Sequence, residues 1–424
     1  MNFTEAYLAK HNFEPYIAAR PHPELGLCAA IPSYKEPDLI RSLQSLWECE
    51  RPSCAVEVIV VVNAPEGCDA LATEQNLRTL KEASEWVAEH HDSRFQFHLV
   101  YSPGLPAKFA GVGFARKIGM DEAAYRLNLV GKTNGIIAGF DADSLCDANY
   151  LVEIDRHFKR LPKSPGASVY FEHPLSGDGF SAEVYAGIAR YELHLRYLNL
   201  ALRYTGHPHA WHTVGSSFAV RMDAYVKQGG MNRRQAGEDF YFLQKIISLG
   251  NFSEINTTRV IPSPRQSDRV PFGTGASMNK WHKGDTLETY CFEAYKDLKG
   301  FLEEIDGCFK AEKETVIAVV EKLPRALRIF LLENDFYDEL ASVSANCATL
   351  KTYRERFYRW FNAFKAIKYL NFGHDGYFEK ADVTGEALKL LNELGIETTC
   401  NNEFGLLEVY RKIDRKLVSG LNPQ

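Results

Sequence analysis

Two pairs of carboxylates have spacing that suits chemistry. Asp141 and Asp143 stand two positions apart where the apolar run Ile136 to Phe140 ends, with Gly135 before that run and Gly139 inside it. In an extended segment alternate residues point the same way, so both carboxylates can address one site. Such carboxylates repel each other unless a cation lies between them. Hard oxygen donors suit Mg²⁺ or Mn²⁺, ions that keep several waters and bind substrate phosphates. Asp-x-Asp also arises by accident in loops and helix caps, so the rest of the chain must support the reading. The second pair, Glu238-Asp239 after Gly237, opens a helical pattern that runs to Gly250. Acids at a helix amino terminus are favoured by its dipole and can simply cap it. One of them can equally serve as a general base.

The elements that must position these groups follow from hydrophobic pattern. Leu27 to Ile31, Val56 to Val62 and Ile136 to Phe140 are nearly continuous apolar runs, which predicts strands buried on both faces. Phe95 to Tyr101 alternates more, and Ala167 to Phe171 is a further strand. Leu39, Ile40, Leu43, Leu46 and Trp47 recur at helical spacing, and helices are expected through Leu77 to Trp86, Ala115 to Leu127, Tyr150 to Phe158 and Ser181 to Tyr204. Strand and helix alternating at these lengths predict a mostly parallel sheet with right-handed crossovers. Ligands of such sheets bind beyond the carboxyl ends of the strands. That rule places Tyr34, Glu36, Asn63, Asp141 and Asp143 on one rim. Neither a Gly-x-Gly-x-x-Gly turn nor a Gly-x-x-x-x-Gly-Lys-Ser/Thr loop follows the first strands, which argues against a dinucleotide oxidoreductase or a P-loop NTPase.

Composition narrows the class. The 424 residues can hold one large α/β domain and a smaller one, and 45% hydrophobic with 25% charged residues is an ordinary globular balance. A formal net charge of −6 argues against a general nucleic-acid binder. No apolar run reaches the ~18 residues of a spanning helix, and the start lacks a basic segment followed by an apolar one. Nine cysteines, without a Cys-x-x-Cys pair, predict reduced thiols in a cytoplasmic protein. Residues 1–285 are expected to form the catalytic domain and 286–424 a mainly helical region, with helices over Glu293 to Ile305, Ala311 to Leu323, Leu327 to Leu340 and Leu350 to Leu370. The stretch from Arg354 to Lys365 is basic and aromatic. It suits either packing against the catalytic domain or peripheral contact with the inner face of a membrane. His207-Pro-His209-Ala-Trp211-His212 suits either an acceptor site or a packed cluster.

The order of landmarks resembles the family 2 glycosyltransferases with the GT-A fold. Ile31-Pro32-Ser-Tyr34-Lys-Glu36 resembles their opening, Val58 to Asn63 their second strand, and Gly113-Phe-Ala-Arg116-Lys117-Ile-Gly119 their Gly-x-Ala-Arg-Asn-x-Gly helix. Phe140-Asp-Ala-Asp143 resembles their metal motif. Val214 to Arg221, Gly229-Gly230 and Gly237-Glu238-Asp239 resemble their acceptor half. The likeness runs over about residues 26–262. Asn63 stands where the family often has an acid, and Lys117 replaces the usual Asn.

The resemblance implies a three-layer α/β sandwich and transfer of a sugar from a nucleotide-diphosphate donor to a hydroxyl of a glycan or lipid-linked acceptor, with inversion. It also implies roles for residues. Asp143 and Asp141 would hold Mn²⁺ or Mg²⁺, with His282 as a candidate third ligand. Pro32, Tyr34, Glu36 and Asn63 would border the nucleotide, and Arg116, Arg265 and Arg269 would relieve its charge. Asp239 would be the base, with Glu238 as runner-up. The rival readings are a sugar-phosphate nucleotidylyltransferase, whose Gly-rich basic loop is missing here, and a non-catalytic nucleotide-sugar-binding protein. A two-carboxylate glycoside hydrolase would not need this order of landmarks.

Overall fold

The computed structural model describes every residue except 1, 236, 268, 270–272, 286 and 417–424. The chain forms two compact units: Met1–Tyr185 with Thr213–Asn279, and Ala186–His212 with Lys280–Gln424.

The first unit is built on a large sheet. Its strands are β1 (Leu25–Ser33), β2 (Ala55–Pro65), β3 (Phe95–Leu105), β4 (Ile136–Gly139), β5 (Leu145–Cys146), β6 (Gly166–Phe171), β7 (Phe218–Arg221) and β8 (Ser253–Ile261), in the order β3-β2-β1-β4-β7-β6-β8-β5. Its helices are α1 (Phe3–Lys10), α2 (Leu39–Trp47), α3 (Ala70–Glu89), α4 (Val112–Leu129), α5 (Tyr150–Arg160), α7 (Met222–Lys227) and α8 (Glu238–Ile247). Two more, α6 (Ala182–Tyr204) and α9 (Thr274–His282), begin here and end in the second unit.

The half β3-β2-β1-β4 is parallel, as the apolar runs predict. Val58 to Val62 of β2 have no exposed surface, and each such side chain contributes ~1.5–3 kcal/mol by leaving water. In the other half β7 is antiparallel to both β4 and β6, and β5 to β8, so the sheet is mixed. β1 is followed in sequence by β2 on one side, while β4 takes its other side. The crevice beyond β1 and β4 is therefore a topological switch point. Ser42 and Ser45 on α2 grip the loop there: Ser42 Oγ donates to the Ala142 carbonyl at 2.9 Å, and Ser45 Oγ accepts from the Cys146 amide at 2.9 Å.

The second unit is helical, with a short antiparallel ribbon of β9 (Glu288–Thr289) and β10 (Ala381–Asp382). Its helices are α10 (Phe292–Glu304), α11 (Lys313–Lys322), α12 (Arg325–Glu333), α13 (Phe336–Ala345), α14 (Leu350–Trp360), α15 (Ala363–Gly376), α16 (Val383–Glu393) and α17 (Glu403–Lys416). The pattern over Leu350 to Leu370 is two helices rather than one, because Asn362 caps α15 by accepting from the Lys365 amide at 3.1 Å. Leu327 to Leu340 likewise splits at Asp335, whose φ of 55° lies in the left-handed region. Tyr353 and Phe357 of the basic, aromatic α14 are buried within this unit. His207 is also buried and His209 half-buried, with rings 5.2 and 6.3 Å from Tyr358, and desolvation lowers their pKa to about 3 and about 4.

The second part of α6 is tied to α17 by buried charges. Arg196 Nη1 lies 2.5 Å from Asp414, and Arg411 Nε and Arg196 Nη2 each lie 2.8 Å from Glu192. Burial alone would raise the pKa of Asp414; His212 and Arg196 outweigh it and hold the group at about 2. Among the described residues no helix is long and apolar enough to cross a membrane.

Candidate active site

The carboxyl end of β1 supplies the first side chains. Pro32 is buried in the strand beside Val61, and the chain then turns through Tyr34, Lys35 and Glu36. Lys35 has a φ of 50°, a conformation rarely adopted by residues with a side chain. The amide of Asn76 on α3 holds the turn: Oδ1 accepts from the Lys35 N–H at 2.9 Å, and Nδ2 donates to the Asn63 carbonyl at 3.0 Å. That clasp joins the rim residues of β1 and β2. Tyr34 OH lies 3.8 Å from Cys68 Sγ, and the Asn63 side chain is buried.

Glu36 is 1% exposed and faces the two arginines of the loop after β8. It accepts from Arg265 Nη2 and, at 2.9 Å, from Arg269 Nη1. The same guanidiniums reach Asp143, at 3.0 Å from Arg265 and 3.5 Å from Arg269. Burial is the main reason the Asp143 carboxyl is raised to about 6; Glu36 and Asp141 add to it, and the arginines oppose it. Pro32, Tyr34, Glu36, Asn63, Asp143, Arg265 and Arg269 thus share one side of the crevice.

The other side is organised by Arg116, projected from the first turns of α4. It is 2% exposed, yet every part of its fork is engaged. Nη2 donates to Asp141 Oδ1 at 3.0 Å, Nε to Glu238 Oε1 at 3.2 Å, and Nη1 to the Gly215 carbonyl at 2.8 Å. Arg116 therefore links the acid after β4 to the acid opening α8. Burial and the neighbouring Asp239 push Glu238 up to about 7, while Arg116 pulls the other way. Asp239 is raised as well, again mainly by burial. Its Oδ1 accepts from the Phe240 amide at 2.7 Å.

Gly215 fits here only because it lacks a side chain. A Cβ at that position would stand 2.7 Å from Arg116 Nη2 and 3.1 Å from Asp239 Oδ2. Gly215→Ala is expected to displace Arg116 and reduce turnover at least tenfold, while secondary structure by circular dichroism stays unchanged. Full activity in that variant would show that the close approach is not needed.

Sequence reasoning did not foresee the Asn76 clasp, the Gly215 carbonyl or the contact of Arg265 Nη1 with Asp38 at 3.4 Å. The only signal for the first was an amide on the apolar side of α3, where Asn76 is 1% exposed. His282 is exposed at the end of α9, in the second unit.

Among the described residues no group of three or more His, Cys, Asp or Glu side chains is arranged to hold a metal ion. The donor set of Asp143 and Asp141 nevertheless fits Mg²⁺ or Mn²⁺ arriving with a substrate. Such an ion needs one or two carboxylates and takes its remaining ligands from phosphates and water.

No family model matches the chain, and no curated protein matches it by sequence. Among solved structures, the chain is similar to residues 1–349 of S. aureus TarS in complex with UDP-GlcNAc. Identity is 14% and the TM-score 0.40, with 79% of this chain and 92% of that one covered. It is also similar to the mannosyltransferase PcManGT from Pyrobaculum calidifontis in complex with GDP-Man and Mn²⁺. There identity is 14% and the TM-score 0.33, with 98% and 93% covered. At this degree of likeness the chemistry has to be argued from the residues of this chain.

Proposed function

We propose that the chain is a GT-A glycosyltransferase that moves a sugar from a nucleotide-diphosphate donor to a hydroxyl of a glycan or lipid-linked acceptor, with inversion. The observation that carries this reading is a crevice with two acid stations, Arg116 tying the second to Asp141, which lies two residues before Asp143 of the first. The first station, Asp143 with Arg265 and Arg269, suits a diphosphate. The arginines already sit against carboxylates, and a bound diphosphate offers them stronger bidentate partners. Asp143 and Asp141 would hold Mn²⁺ or Mg²⁺, which when bound supplies charge relief for the departing diphosphate.

The second station, Glu238 and Asp239, suits deprotonation of the acceptor hydroxyl. A carboxylate raised towards neutral pH is a stronger base than an exposed one and is still ionised during turnover. Asp239 takes the proton; burial, with the charge of Asp141, keeps it basic, and Glu238 beside it is fixed by Arg116. With a base on one side and a leaving diphosphate on the other, direct displacement inverts the anomeric centre.

The test is thermal stability with nucleoside diphosphates, with and without Mn²⁺. A ligand at ~100 times its dissociation constant adds ~2.7 kcal/mol. The unmodified protein should show a metal-dependent melting shift with one nucleotide, and Asp143→Ala should lose it while melting normally alone. An equal shift in Asp143→Ala removes that residue from the donor site. No shift with any nucleotide removes the donor class.

A further inference from the structure

Two loops flank the acid pair, and both carry cations and no acid. The first, residues 106–111, joins β3 to α4 and contains Lys108. The second, residues 228–235, leads towards α8 and contains Arg233 and Arg234. They are bound to each other and to the site. Gln235 Nε2 donates to the Ala107 carbonyl at 3.1 Å, and Asn232 Nδ2 donates to the Glu238 carbonyl at 3.1 Å. A Cβ on Gly113 would collide with the Arg234 carbonyl and lie 2.8 Å from Glu238 Cβ, so this loop and the catalytic acids converge on the start of α4.

All three cations are exposed, and none makes an ion pair among the described residues. They are held instead on aromatic rings. The Arg233 guanidinium lies 4.9 Å from the ring centre of Phe114 and 5.9 Å from that of Phe109. Lys108 Nζ is 5.6 Å from the ring of its neighbour Phe109, and Arg234 is 3.7 Å from the ring of Tyr241, two residues after Asp239. A guanidinium stacked by its face keeps its N–H edge for a ligand, and that edge matches the oxygens of phosphate or carboxylate. The stacking also lowers the entropy lost when an anion is bound.

The site gathers five acids, Glu36 and Glu238 buried and Asp141, Asp143 and Asp239 part-exposed, and would repel an anionic acceptor unless cations offset that charge. The loops that carry Lys108, Arg233 and Arg234 are fastened to Glu238 and to each other, whereas Arg265 and Arg269 face Asp143 on the donor side. We propose that Lys108, Arg233 and Arg234 form the acceptor-side rim, and that the acceptor is a glycan bearing phosphate or carboxylate groups. This rests on the glycosyltransferase reading and names its acceptor class.

The experiment uses two labelled anionic oligomers, polyphosphate and polygalacturonate, with neutral dextran as the control, followed by fluorescence anisotropy. The protein is the full chain, the double variant Arg233→Glu/Arg234→Glu, and Lys108→Glu on the other loop. The unmodified protein should bind an anionic oligomer, more weakly as salt rises, and not dextran. The double variant should lose affinity by roughly tenfold or more. The preferred oligomer tells phosphate from carboxylate. Nucleoside diphosphate melting shifts with Mn²⁺ should be the same in every variant. Anion binding that is absent, or untouched by charge reversal, overturns the proposal. A nucleotide shift lost in the double variant also overturns it, because the cations then belong to the donor. No nucleotide shift in any form, with anion binding intact, defeats the glycosyltransferase reading and leaves an anion site without an acceptor role.

Discussion

Asp239→Asn should bind the donor as well as the unmodified protein and transfer the sugar ~10²–10⁴-fold more slowly, the usual contribution of a positioned base. The amide keeps the shape of the side chain and its contact with the Phe240 amide but cannot take a proton. The pH profile carries the same information. Glu238 stands at about 7 and Asp239 is raised beside it, so the pair still holds a proton in mildly acidic solution. A base acts in its deprotonated form, so kcat/KM should climb with pH and level off above about 7, the limb belonging to the pair rather than to one residue. In Asp239→Asn the residual rate should lose that limb or move it to lower pH, because the like charge that raises Glu238 is gone. Donor binding retained with turnover lost is measured by melting shift and by release of the nucleoside diphosphate. Turnover near the unmodified level would remove Asp239 from the chemistry.

Arg116→Met should have the largest effect on stability. The side chain is buried, and its removal leaves Glu238 and Asp141 without their shared cation. Breaking a buried pair by deleting one partner costs ~3–5 kcal/mol. The loss should depend on pH with a definite sign. Without the arginine, the folded-state pKa of Glu238 rises further above its unfolded value. An acid raised in this way disfavours the fold when ionised, and that penalty fades as pH falls towards the unfolded pKa. Urea unfolding should therefore show a larger deficit at pH 8 than at pH 5. An equal deficit at both would mean that Arg116 contributes through packing rather than charge. Turnover should fall as well, since the same guanidinium fixes the Gly215 carbonyl.

Much of the rim was readable before the fold was seen. Continuous apolar runs in β1, β2 and β4 specify buried strands, and the residues just after them have to lie where those strands end. The neighbours of β4 were not readable in this way. Phe218 to Val220 is a short apolar run, equally compatible with either direction, and it pairs antiparallel with β4 and β6. The arginine partners were hidden for another reason. Arg116 reaches Glu238 across 122 positions and Arg265 reaches Glu36 across 229, and no local pattern encodes such pairs. The break between α14 and α15 depends on one asparagine cap inside an unbroken helical apolar pattern. The placement of Ala186–His212 with the helical unit follows from charges on α6 whose partners lie near the carboxyl terminus.

That last arrangement imposes a timetable on the newborn chain. Arg196 meets Asp414 across 218 positions, and Glu192 meets Arg411 across 219. At ~5–20 residues per second, the ribosome takes roughly 10–40 s to deliver the partners after α6 has emerged. Throughout that interval the nascent helix carries charges designed for an interior that does not yet exist. The amino-terminal strands can pair meanwhile, but this stretch has to wait in the open. A nascent-chain pull-down at stalled lengths should find chaperone occupancy persisting until α17 is released.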